Sequence, residues 1–261
     1  MKRLAALLCS IVLCAIALVP ALRGSPTIGV VVQKWYYNPQ NKIATITLAN
    51  STQKDILAYN LTITTTYVNG STDRQEVKTD LLDRMINARL VKGTPDEAQF
   101  TQRFGNGTFA ALTITDQNVS ESEAPKSMQI VVDMVAYVDQ TADVQNERAF
   151  AQLVASRKGE LLALQLANEV TQQALTNPNP RDAAVTELKR QINVLHTQNL
   201  APTDPQRYEE TYLQNAIDNL QNAQHGLPET EHLKNLVAMR QQRIALAAPY
   251  AQLNKTTGGA Q

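Results

Sequence analysis

The chain has 261 residues, with 24 basic and 24 acidic side chains and only 5% aromatic residues. That balance provides no basic field for phosphate backbones, which argues against a nucleic-acid binder. The length allows one large domain or two modest ones without covalent staples. Two is the expectation, because the aromatic residues concentrate before residue 151.

Lys2 and Arg3 precede an apolar run from Leu4 to Leu22, broken only by Ser10 and Pro20. Two cations ahead of such a run have the form of an export signal over residues 1–21. Cleavage is expected after Ala21, where Pro20 ends the apolar helix and Val19-Pro20-Ala21 offers a small residue to the peptidase. Uncleaved, the run would serve as an anchor, since about 20 apolar residues span a bilayer. Cys9 and Cys14, the only cysteines, both lie inside it, so a processed chain carries neither disulfide nor thiol. Each follows a leucine, which argues against lipidation. The chain is therefore expected to be extracytoplasmic, periplasmic or secreted, and to meet a membrane only through this segment if it is retained.

From residue 27 to about 140 the pattern predicts an antiparallel β-sandwich. Leu57, Tyr59, Leu61, Ile63 and Tyr67 alternate with polar residues, placing a Thr62-Thr64-Thr66 row on a wetted face. Further strands are expected over Ile28–Tyr37, Ile43–Ala49, Phe109–Thr115 and Met128–Val138. Asn38-Pro39-Gln40-Asn41 forms the first turn, and Asn69-Gly70 predicts a hairpin with positive φ at both central positions. Leu81, Leu82, Met85 and Ile86 fall at helical spacing within Asp80–Arg89, which predicts a short helix or covering loop before a Gly-Asn-Gly turn at 105–107.

The stretch Ala44-Thr45-Ile46-Thr47-Leu48-Ala49-Asn50-Ser51-Thr52, then Lys54-Asp55-Ile56 and the strand ending in Tyr67-Val68-Asn69-Gly70, resembles the immunoglobulin-like FxLYD-type β-sandwich domains of exported bacterial proteins. The resemblance covers roughly residues 28–70, and the Leu-Tyr-Asp signature itself is missing. It implies a binding or assembly module with no inherited active site.

Past residue 143 the period becomes helical, and about four helices are expected over 143–250, followed by a disordered tail at 251–261. The first, from about Val144 to Ala174, carries Phe150, Leu153, Val154, Leu161, Leu162, Leu164, Leu166 and Val170, an arc too wide for a free surface helix. Asn177-Pro178-Asn179-Pro180 ends it and opens the second, with Val185, Leu188, Ile192 and Leu195 as a bundle seam. Asp204-Pro205 opens the third, Gly226 closes it, and Pro228 starts the fourth. The fold class expected is thus α+β in two domains, a sandwich followed by an up-and-down bundle.

No residue is assigned a catalytic, cofactor-binding or metal-binding role. His196, His225 and His232 form no ligand motif and are expected to be exposed or capping. Asp139-Gln140-Thr141-Ala142-Asp143 with Asn146 offers oxygen ligands but lacks the EF-hand spacing, so Asp139 and Thr141 are expected to close a strand-to-helix turn and Asp143 to cap the long helix. The neighbouring carboxylates Asp80 and Asp83, Glu121 and Glu123, and Glu209 and Glu210 are expected to be solvated, because a catalytic pair normally meets from separate elements. Trp35, Tyr36 and Tyr37 are expected mainly in the core. The six Asn-x-Ser/Thr sequons, at Asn50, Asn60, Asn69, Asn106, Asn118 and Asn254, are read as compositional.

The functional expectation is an exported, non-enzymatic binding or assembly protein with a protein or envelope partner and no cofactor. The alternative is an extracytoplasmic hydrolase or carbohydrate-active enzyme with an interdomain site.

Overall fold

The computed structural model describes residues 28–38, 43–90, 109–115, 125–222 and 227–256, the third of these as backbone only. The apolar segment 4–22, Glu121, Glu123, His225 and Gly226 lie outside them, as do the turns expected at 38–41 and 105–107 in whole or in part. Among the described residues, eight strands and five α-helices follow one another as an α+β chain. β1 (Val30–Asn38), β2 (Ile43–Asn50) and β5 (Phe109–Thr115) form an antiparallel sheet in the order β1-β2-β5. A second sheet has the order β4-β3-β6-β7-β8, from β3 (Ile56–Tyr67), β4 (Thr72–Asp80), β6 (Pro125–Tyr137), β7 (Thr141–Val144) and β8 (Asn254–Lys255).

The two sheets share one core. Val30, Ile46 and Leu48 of the first meet Tyr59, Leu61, Ile63, Val135 and Tyr137 of the second. Helix α1 (Leu82–Leu90) plugs this core with Met85 and Ile86, and the chain's far end returns to it with Ala247 and Tyr250. Trp35 is half-buried against the cluster, while Tyr36 faces outward, 63% exposed. Asn254–Lys255, within the segment expected as a disordered tail, runs as β8 parallel to β7, and Thr256 N donates to Ala142 O at 2.8 Å.

The helical half is dominated by α2 (Glu147–Ala174), with α3 (Pro180–His196), α4 (Gln206–Gln221) and α5 (Glu229–Ala247) packed around it. At about 1.5 Å per residue, α2 is roughly 40 Å long and reaches both halves. Its first turns lay Ala149 and Phe150 on the second sheet, against Ala58, Met134 and Ala136. Farther along, Ala163, Ala167, Val170 and Ala174 enter the bundle core.

This contact corrects the expectation of a wetted sheet face. Thr62 is buried, and its hydroxyl donates to the buried Asp133 at 2.6 Å. Asp133 is the bulge residue of β6, between the pairs Met134↔Asn60 and Val132↔Leu61. Its backbone carbonyl accepts from Gln145 N and Asn146 N, and Asn146 Nδ2 donates to its Oδ1 at 3.3 Å. Asn146 is the N-cap of α2, accepting from Arg148 N and Ala149 N. A bulge that re-aims one carboxylate thus fixes where the long helix starts. Asp143, expected to cap α2, instead accepts from Gly29 N, the Tyr137 hydroxyl and the Thr256 hydroxyl. Burial, and then the bond to Asp143, push the Tyr137 phenol well above its usual range.

The β3–β4 hairpin also departs from expectation. Gly70 N donates to Tyr67 O, so Val68 and Asn69 occupy the centre of the turn and only Gly70 has positive φ, at 86°. The loop is a three-residue connection closed by a left-handed residue, the geometry of a turn followed by a bulge.

Candidate functional site

The chemistry gathers where α1 meets the helical half. Asp80, at the end of β4, accepts from Leu82 N at 3.0 Å and so helps start α1. The same carboxylate receives Arg157 of α2 through Nε and Nη2, each at 2.9 Å. The Arg157 side chain is 1% exposed, and its Nη1 reaches Tyr250 O. One turn farther along α1 and α2, Arg243 of α5 donates to both Asp83 and Glu160, and its Nη1 donates to Asn87 at 3.0 Å.

Glu160 is buried, and desolvation together with the charge and hydrogen bond of Asp83 pushes its carboxyl up to about 7, against the opposing pull of Arg243. Two carboxyls from separate helices therefore share a proton-binding environment under one guanidinium. Beside them lies a pocket of about 290 Å³, bounded by α1, α2, α4 and α5. Leu164, Leu236 and Met239 give it an apolar side, and Asn215, Asn219 and Tyr212 a polar one. Burial raises the Tyr212 phenol above its ordinary range, opposed by a hydrogen bond with Ser156.

Arg240 also lines this pocket and is buried. Its Nη1 donates to Ala167 O at 3.1 Å and Thr171 Oγ1 at 2.8 Å, and its Nη2 to Ala216 O at 3.3 Å. All three acceptors are uncharged. Burial lowers its pKa to about 10.

A second cavity of about 230 Å³ lies between the second sheet and α2, lined by Asn60, Lys78, Asp80, Gln152 and Ser156 among others. Asn60 Oδ1 is buried without a hydrogen-bond partner.

Asp80 and Asp83 are exposed as expected, the Asp83 side chain at 57%, and the turn into α1 also sets them on Arg157 and Arg243. Glu209 is buried at the α2–α4 crossing, and burial raises its pKa, while Glu210 meets the exposed His196 at 3.1 Å. His232, expected to be exposed or capping, is buried with neither ring nitrogen bonded. It lies on the buried stripe of α5 with Leu236 and Arg240, at four-residue steps. Asp139 closes the β6–β7 hairpin and not a strand-to-helix turn, accepting from Thr141 N at 3.0 Å, and Lys54 Nζ lies 2.8 Å from its Oδ2. Its carboxyl is held below the ordinary range, because these bonds outweigh the opposing effect of burial. Among the described residues, no group of three or more His, Cys, Asp or Glu is placed to hold a metal ion. Of the sequons, Asn50 and Asn60 are buried.

Glu160, Arg240 and Arg243 were missed in the sequence. A signal existed for Arg240: Leu233, Val237 and Arg240 are spaced like a bundle seam, and a cation at a seam position marks a buried charge.

No known protein family, characterised protein or solved structure matches this chain.

Proposed function

We propose that this chain is an exported, non-enzymatic binding or assembly protein, in which an immunoglobulin-like sandwich and a helical bundle act as one body toward a protein or envelope partner. The strand order supports the sandwich reading and the resemblance of residues 28–70 to FxLYD-type domains. The order β1-β2-β5 against β4-β3-β6-β7 is the order that immunoglobulin-like folds give strands A-B-E and C′-C-F-G. The leader read from Lys2 to Ala21 supports export; among the described residues no helix is long and apolar enough to cross a membrane.

The observation that carries the binding reading is the double clamp. Asp80 on Arg157, and Asp83 with Glu160 on Arg243, commit the junction's carboxylates to holding sheet and helices at one angle. One observation favours the hydrolase alternative: Asp83 and Glu160 come from separate helices to the edge of a pocket, and one of them titrates near neutrality.

A single experiment separates the two. The full chain is expressed with its leader in a bacterial host, fractionated, and assayed on chromogenic glycosides and esters beside Glu160→Gln. The expected result is an exported protein beginning at Leu22 with no turnover above the variant. Turnover that Glu160→Gln abolishes would establish the hydrolase instead.

A further inference from the structure

We propose that the pocket between α1, α2, α4 and α5 binds a small monocarboxylate with an apolar body, and that Arg240 is its anchor. This rests on the non-enzymatic reading and adds a ligand class to it. A buried guanidinium ordinarily has a carboxylate to balance it, because an unpaired charge in the interior is costly. Arg157, elsewhere on α2, shows the arrangement, gripping Asp80 side-on through Nε and Nη2.

Arg240 is buried as deeply, at 5% exposure, yet its partners are two backbone carbonyls and one hydroxyl. Both acceptors of Nη1 lie on α2, which fixes the plane of the group. Nη2 spends one hydrogen on Ala216 O, and Nε donates to nothing among the described residues. The unused Nε hydrogen and second Nη2 hydrogen are the donor types with which Arg157 holds Asp80, and a planar fork of this kind matches a carboxylate.

The two carboxylates that share the pocket do not fill this role, since both are tied to Arg243. Nothing but burial acts on the titration of Arg240, consistent with a missing counter-charge. Leu164, Leu236 and Met239 would receive the apolar body of the ligand, and Asn219 stands exposed at the rim.

The test uses the full chain and acetate, hexanoate and benzoate as probes, with hexan-1-ol as the uncharged control and calorimetry as the readout. Saturable binding of hexanoate or benzoate, absent for hexan-1-ol, is expected. Arg240→Gln should weaken it about tenfold or more. Because Arg240→Gln removes ties to α2 and α4, Asn219→Trp serves as the second variant: it fills the mouth of the pocket, leaves Arg240 in place, and should abolish binding.

Three results would overturn the proposal: no saturable binding of any carboxylate, equal binding of the alcohol, or unchanged binding in both variants. Since binding is read without turnover, such a failure leaves the non-enzymatic reading standing. Turnover lost in Glu160→Gln with carboxylate binding intact would overturn that reading alone.

Discussion

Gln140 holds the left-handed backbone that Gly70 holds in the other hairpin. The segments Tyr67-Val68-Asn69-Gly70-Ser71 and Tyr137-Val138-Asp139-Gln140-Thr141 make the same turn, each with an Asx side chain accepting from the backbone two residues on. A non-glycine at φ 67° is strained. Gln140→Gly should therefore stabilise the fold by about 0.5 kcal/mol, after the entropy glycine adds to the unfolded chain is offset; a lower urea midpoint would contradict this. At the junction, Asp80→Ala strands a buried guanidinium and should cost about 2–3 kcal/mol, toward the low end for a broken buried pair because Asp80 is partly exposed. Glu160 binds its proton more tightly in the folded state, near 7 against an ordinary 4.5, so its contribution to stability is fully present below about 4.5 and is lost as pH rises through about 7. Denaturation midpoints between pH 4.5 and 8 should fall less steeply with pH in Glu160→Gln than in the wild-type chain. The sequence marks where the chain turns at Asn69-Gly70 and Asp139, because Asn, Asp and Gly act locally, but not the geometry of the turn, in which only Gly70 of the first pair has positive φ. Glu160 and Arg240 were not legible in it, because their significance depends on what another helix brings to them.

The elements followed their periodicity wherever one face met the core. The pattern predicts Phe109–Thr115 to the residue and β1, β2, β3 and β6 to within a few, but neither β7 nor β8, whose positions it assigns to a turn and a tail. β4 escaped notice because Asp73, Arg74, Glu76 and Lys78 break its alternation, and charge of this kind suits an exposed sheet edge. In α2 the length was legible and the packing face was not. The residues expected to cover a wide arc are largely half-buried, with Leu162 41% exposed, while the buried seam runs through Ala155, Gly159, Ala163 and Ala167. Small residues at four-residue steps let neighbouring helices approach closely. A Cβ on Gly159 would lie 2.4 Å from Pro205 O, at the start of α4. Gly159→Ala should thus cost about 1–3 kcal/mol from overpacking, more than the up to about 1 kcal/mol that alanine's helix propensity returns; thermal melts of the two proteins decide this.

At the scale of the molecule, the division into a sheet half and a helical half could be read from the sequence, but the extent of their union could not. Ala58, Met134 and Ala136 look like the ordinary outer face of a sheet until α2 is laid across them. Residues 28–145 alone should therefore bind a hydrophobic dye and unfold without a sharp transition, while the intact chain should melt in one calorimetric step. Two separated steps in the intact chain would show the halves to be independent. The pairing of β8 with β7 adds a dimension of time. Residues 254–255 complete the edge of a sheet whose first four strands in space all come from the first 144 residues, so a ribosome must translate all four bundle helices before that edge can close. A chain that cannot finish its sheet until the residues beyond its bundle helices emerge carries a built-in delay in folding, of the kind that long-range pairing imposes.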